Sequence, residues 1–208
     1  MSSLKNRHQR HDGYFKKARK EGYASRAVYK LEELDKRFRI LKRGHRVLDL
    51  GCWPGSWMQY AAARVGPTGF VFGMDLKPVE LSLPSWTDHD VGDISEVTLD
   101  WLSAKSKGPV QVVLSDLAPH TTGIRVTDVA RSLFLVERVL DIAEALLDED
   151  GAMVTKVFQG PGFDDLLARC KRLFRKTKAI RPKGSRPGSM EIYLVGLQRR
   201  PRNSDQTR

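Results

Sequence analysis

The chain has 208 residues and a formal net charge of +11, enough material for one domain with a substantial core. The charge is segregated: residues 1–46 carry 15 Lys/Arg and 5 Asp/Glu, residues 47–168 carry 8 and 18, and residues 169–208 carry 13 and 2. Basic ends around an acidic middle suit a polyanion such as nucleic acid, while the two cysteines, Cys52 and Cys170, have no ligand spacing and point to neither a metal site nor a disulfide framework.

In chain order, residues 1–23 are polar and basic and read as loose or partly helical, without the apolar stretch of a secretory signal. Ser25 is placed to cap a helix with Ala27, Leu31, Leu34 and Phe38 on one face, and Lys30 sits beside that face. Val47-Leu48-Asp49-Leu50 reads as a buried strand ending at Gly51, followed by a helix from Ser56 to Val65 that Gly66-Pro67 ends. Phe70 to Met74 is a second strand stopping at Asp75, and residues 77–90 hold a loop and a weak third strand. A helix is expected from Ile94 to Ala104, and a strand from Val110 to Ser115 leads to Asp116. A loop from Ala118 to Arg125 precedes a long helix with Val129, Leu133, Val136, Leu140, Ala143 and Leu147 at helical spacing, ended by Asp150-Gly151. The run Ala152-Met153-Val154 then leads to Lys156, a helix spans Phe163 to Phe174, and strands follow near Thr177–Ile180 and Ile192–Leu197, the latter opened by Glu191. Alternating strands and helices predict an α/β parallel sheet, and the short link between the last two strands predicts an antiparallel edge. No apolar run is long enough to cross a bilayer.

The segment Asp49-Leu50-Gly51-Cys52-Trp53-Pro54-Gly55-Ser56-Trp57 joins a strand to a helix through glycines, which permit a tight turn and close approach of backbone to ligand. It matches neither the dinucleotide fingerprint nor the P-loop, so a ligand without pyrophosphate is expected. Asp75, closing the second strand, can accept from both hydroxyls of a ribose, and Asp93 can accept from an exocyclic amine such as that of adenine. These demands are those of S-adenosylmethionine. The competing reading of each acid is a helix cap, and of Trp57 a place in the core. Trp53 fits either core or pocket wall.

With these pieces in order, the chain resembles the FtsJ/RrmJ family of ribose 2′-O-methyltransferases. The match rests on Ser25-Arg26-Ala27-Val28-Tyr29-Lys30-Leu31, the Asp49–Trp57 loop, Ser115-Asp116-Leu117-Ala118-Pro119, Lys156-Val157-Phe158-Gln159-Gly160, and Ser185-Arg186 leading to Glu191-Ile192-Tyr193. The resemblance implies a Rossmann-like methyltransferase fold: a mostly parallel seven-stranded sheet with helices on both faces and an antiparallel edge strand. It implies S-adenosylmethionine as cofactor, held by Gly55, Trp57, Asp75, Asp93 and Asp116, and a catalytic tetrad of Lys30, Asp116, Lys156 and Glu191. It further implies a uridine of large-subunit ribosomal RNA as target within the ribosomal particle; cysteine usage fits a reducing cytosol, and a cytoplasmic monomer that does not engage a membrane is expected. The expected division is a basic segment at 1–24, a methyltransferase domain at 25–198 and a basic tail at 199–208. The loop departs from the usual pattern at Cys52, Trp53 and Ser56, and His120-Thr121-Thr122-Gly123 stands where Asn-Met-Ser-Gly is more familiar.

A ribose hydroxyl is a weak nucleophile at neutral pH, so oxygen, methyl and sulfur must be aligned and the proton helped to leave. Lys156 is the expected base or hydroxyl-orienting group, with Asp116 orienting it and Lys30 and Glu191 fixing the target ribose. The competing readings are a surface helix lysine for Lys30 and an edge-strand charge for Glu191. Lys16, Lys17, Arg19 and Lys20 at one end, and Arg181, Lys183 and Arg186 at the other, are expected to meet phosphates. A base methyltransferase lacks support, because Asp116-Leu117-Ala118-Pro119 is not an Asn/Asp-Pro-Pro-aromatic loop and neither cysteine follows proline. For the chain as a whole, a 2′-O-methyltransferase acting on transfer RNA and a non-catalytic RNA-binding assembly factor compete with the ribosomal RNA reading.

Overall fold

Apolar, buried strands form the centre of the molecule. The computed structural model describes residues 13–183 and 189–202. The strands are β1 (Arg46–Leu50), β2 (Phe70–Asp75), β3 (Thr87–Val91), β4 (Val110–Ser115), β5 (Leu147–Phe158), β6 (Phe174–Ile180) and β7 (Glu191–Arg199). They form one sheet of order β3-β2-β1-β4-β5-β7-β6. The strands from β3 to β5 pair in parallel, whereas β7 runs antiparallel to both β5 and β6. The expected antiparallel margin is present. Within it β7 is inserted between β5 and β6, so Glu191 opens an interior strand.

Alternation along the strands supplies two core faces. Val47, Val71, Leu114, Val154 and Tyr193 face Leu31 and Leu34 of helix α2 (Val28–Phe38) and Trp57, Met58 and Ala61 of α3 (Ser56–Val65). Leu48, Phe72, Val113, Met153 and Leu194 face Leu102 of α4 (Leu99–Lys105), Val136 and Leu140 of α5 (Arg125–Leu146), and Leu166 and Cys170 of α6 (Phe163–Leu173). Residues 13–20 form a further helix, α1. It buries Ala18 and sets Tyr14 against Tyr29 with ring centroids 5.5 Å apart. Among the described residues no helix is long and apolar enough to cross a membrane.

Three expected boundaries move, each for a local reason. Ser25 does not cap α2: the cap position is Ala27, without a side-chain bond. Ser25 Oγ instead accepts from Ala27 N at 3.2 Å and shares a 2.8 Å hydrogen bond with Ser56 Oγ. The helix expected from Ile94 starts at Leu99, because Asp93 holds Ser95 N in a tight turn and Thr98 caps Trp101 N. The long helix ends at Leu146, and Leu147 already pairs with Val110 across a register irregularity. A side chain at Gly151 would lie 2.7 Å from Leu147 Cγ and 2.8 Å from Asp148 O, so this crowded start of β5 needs glycine. At the other end of the sheet β7 runs to Arg199, whose guanidinium is buried and donates to Glu144 O at 2.8 Å. Ser185 and Arg186 lie outside the described residues.

Candidate active site

The carboxyl ends of β1 and β4 open onto a cleft of about 420 Å³ lined by residues 24–27, Gly51, Cys52, Trp53, Pro54, Ser56, Trp57 and Asp116. Backbone crowding shapes its floor. Gly51 has φ +82°, donates to Met74 O at 2.8 Å, and has Leu117 N where a Cβ would come within 2.9 Å. Gly55, with φ +105°, starts α3, and a Cβ there would be 2.7 Å from both Val79 and Leu81. Both positions require glycine. Ser56 and Gln59 hold the opposite wall: Ser56 through Ser25, and Gln59 by accepting from Ala24 N at 2.9 Å and donating to Gly22 O at 3.0 Å.

The acids expected to hold a nucleoside sit around this loop. Asp75 accepts from Trp53 N at 3.0 Å through one oxygen and from Lys77 N at 3.1 Å through the other. Each oxygen keeps a lone pair, which suits a diol. Both bonds to Asp93, from Ser95 N at 2.8 Å and Ser95 Oγ at 2.7 Å, fall on one oxygen. They hold its carboxyl below the ordinary value, so it stays ionised, and the second oxygen is left as an acceptor. Trp53 is half exposed on the cleft wall, with Lys77 Nζ 4.5 Å from its ring centroid. Trp57 borders the cleft, but its indole is buried and donates to Ala27 O at 2.9 Å.

Asp49 is one residue to which sequence reasoning assigned no role. Its side chain is fully buried, and neither carboxylate oxygen has a hydrogen-bond partner among the described residues. Burial first, then the charges of Asp116 and Asp75, push its carboxyl well above the ordinary range. Such a group stays protonated unless a cation meets it. A methionine arm supplies one as its ammonium, so the residues present fit S-adenosylmethionine. The signal was an acid inside the apolar run Val47–Leu50.

Lys30, Asp116, Lys156 and Glu191 come together on the α2/α3 face of the sheet. Lys156, largely buried, donates to Asp116 O at 2.6 Å and lies 3.0 Å from Asp116 Oδ1. Lys30 reaches from α2 to pair with Glu191 Oε1. Tyr193, which no expectation included, joins the two pairs. Its hydroxyl donates to Asp116 Oδ1 at 2.5 Å and accepts from Lys30 Nζ at 3.2 Å. Burial, followed by the charges of Asp116 and Glu191, raises the phenol well above its ordinary value and keeps it a donor. Strand geometry explains the convergence: Lys156 lies opposite Tyr193 in the β5–β7 ladder, and Glu191 lies two residues from Tyr193 on the same face.

A doubly wound sheet with a cleft at the carboxyl ends of its central strands beside this cluster defines an S-adenosylmethionine-dependent methyltransferase of the α/β class. The family model described as FtsJ-like methyltransferase matches residues 23–199. A protein of Syntrophobacter fumaroxidans named ribosomal RNA large subunit methyltransferase E is 49% identical over 189 residues, covering 91% of this chain and 96% of that one. The protein of the same name from Bdellovibrio bacteriovorus is 44% identical over 192 residues, covering 91% and 97%. The crystal structure of a ribosomal RNA methyltransferase from Plasmodium falciparum superposes with a TM-score of 0.74 at 27% identity, covering 86% of this chain and 100% of that one. The chain belongs to the FtsJ-like methyltransferase family, and its methyl donor is S-adenosylmethionine.

Proposed function

We propose that this protein methylates the 2′-hydroxyl of a ribose, that of a uridine in large-subunit ribosomal RNA within the ribosomal particle. The names of its relatives support the RNA, and the family resemblance supports the hydroxyl and the uridine. One observation carries the chemistry: a buried lysine amine, Lys156, fixed by two oxygens of Asp116, a residue that also borders the cofactor cleft. S-adenosylmethionine supplies the methyl group as an electrophile activated by its sulfonium. With two N–H groups donated to the oxygens of Asp116, the lone pair of a neutral Lys156 amine is free to accept from the acceptor hydroxyl. The amine then takes the hydroxyl proton late in the transfer, which spares the site a free alkoxide. The Lys30–Glu191 pair positions the ribose, and Tyr193 locks that pair to Asp116. Asp75 and Asp93 hold the ribose and adenine of the donor, and Asp49 meets its ammonium.

The experiment is Lys156→Ala, assayed with ribosomal particles that lack the modification and with methylated riboses mapped in the product. The turnover number is expected to fall by about 10²- to 10⁴-fold, the range for loss of a positioned acid–base group. Cofactor affinity, read by calorimetry, is expected to stay within a few-fold of wild type. Turnover near wild type would remove Lys156 from the mechanism. A methyl group mapped to a base would overturn the ribose reading.

A further inference from the structure

A second cleft lies beyond the tetrad. It encloses about 570 Å³ and is bordered by Arg125, Gln159, Asp164, Arg181, Ser189 and Met190, among others. It shares no lining residue with the cofactor cleft, which holds Asp116. The β5–β7 ladder leads into it: Phe158 pairs with Glu191, and Gln159 N donates to Met190 O at 2.8 Å. Met190 is next to Glu191 in the chain. Gln159 is three residues past Lys156, about 10 Å at the rise of an extended strand. That is close enough for the next nucleotide of a strand, with its base and phosphate, to reach. The volume is also within the range of about 300–1,000 Å³ usual for pockets that hold small organic groups.

We infer that this cleft is a ribonucleotide subsite that takes the nucleotide flanking the methylated ribose, its phosphate held by Arg125 and Arg181. The inference rests on the ribose-methylation reading and deepens it. The two arginines come from different elements, the first turn of α5 and the segment after β6. Arg181 Nη1 donates to Ser189 O, which tethers the guanidinium at the rim while its five-donor fork retains capacity for phosphate oxygens. A bare anion would not suit the whole lining, because Asp164 and Gln159 also border it. A nucleotide does: the carboxylate accepts from a sugar 2′-hydroxyl and the amide pairs with a base edge, so the subsite senses RNA over DNA. The acceptor ribose thus lies between two clefts. The sulfonium approaches from the loop side, and the RNA strand leaves on the side of α5 and α6.

The test compares wild type, Arg125→Ala and the double variant Arg125→Ala/Arg181→Ala on unmethylated ribosomal particles, with cofactor affinity measured by calorimetry. Arg125 is exposed, so its substitution leaves the fold intact and decides the matter even should the double variant fold poorly. KM for the particle is expected to rise about tenfold or more with each arginine lost, the effect of one charge-assisted hydrogen bond. Turnover at saturation and cofactor affinity are expected to stay near wild type. The slope of log binding constant against log salt is expected to shrink by about 0.7–0.9 for each phosphate contact removed. An unchanged KM and slope for Arg125→Ala overturn the subsite while wild-type ribose methylation stands. Absence of ribose methylation by wild type overturns the function itself.

Discussion

Asp49 pits stability against binding within a single side chain. A carboxyl whose pKa is raised on folding binds its proton more tightly in the folded state than in the unfolded one. The free protein therefore loses stability as pH climbs above the ordinary aspartate value of 3.8 towards the raised value, and the loss is complete above it. Asp49→Asn keeps the shape and removes the ionisation. The variant is expected to melt at a higher temperature than wild type at neutral pH, with the difference shrinking as pH falls towards 4. The same change is expected to weaken S-adenosylmethionine binding by about tenfold or more, because the donor's ammonium loses its counter-charge. Thermal melts across pH and calorimetry with the cofactor read both effects; a variant less stable than wild type at pH 7 contradicts the first. The family resemblance marked Lys30, Asp116, Lys156 and Glu191 in the sequence, although spacing alone fitted a surface helix lysine for Lys30 and an edge-strand charge for Glu191. Tyr193 and Asp49 were not legible, because a tyrosine in a strand is an ordinary β former, and an unpartnered acid can be recognised only once its surroundings are folded.

The elements themselves were legible wherever an apolar run met a glycine or proline, as at β1, α3, β2 and β4. Misreadings fell where a side-chain cap or a strand partner redirected the backbone. Thr98 restarted a helix, and the chain from Leu147 left helical spacing to pair with β4. The attachment of α2 to α3 was also invisible, since it depends on one buried acid. Asp35 accepts from Leu41 N at 2.8 Å and from Tyr60 Oη at 3.0 Å, and Arg64 Nε lies 3.1 Å away. Its position matters to the site because α2 carries Lys30 and α3 begins at the cofactor loop. Asp35→Ala strands a buried amide and a phenol, at about 1–3 kcal/mol each. Arg64 is half exposed, so its charge pair adds little. Chemical denaturation is expected to show a loss of about 3 kcal/mol. A loss below about 1 kcal/mol would mean that the two helices are held by apolar packing alone.

At the scale of the molecule, the fold makes the charge segregation spatial. Lys183 N donates to Glu33 of α2 at 2.9 Å, and Lys30 pairs with Glu191, so the two basic ends of the chain meet along α2. Lys16, Lys17, Arg19 and Lys20 are exposed on α1, as are Arg175, Lys176 and Lys178 on β6. The acids of the middle segment are partly neutralised elsewhere: Glu137, Asp141 and Glu144 of α5 surround Arg169 of α6. Exposed cations therefore remain on α1 and β6 despite the acidic middle of the sequence. RNA bound through these cations would release counterions, and the affinity would follow salt in proportion to the phosphates neutralised. With six or more such contacts, affinity for unmethylated ribosomal RNA is expected to fall by about 10³-fold between 50 and 200 mM salt. S-adenosylmethionine has no net polyanionic charge to shed, so its affinity over the same range is expected to change by no more than about threefold. Filter binding and calorimetry at matched salt separate the two. An RNA affinity as flat as that of the cofactor would assign recognition to shape and base contacts, and leave the basic ends as a solvated coat.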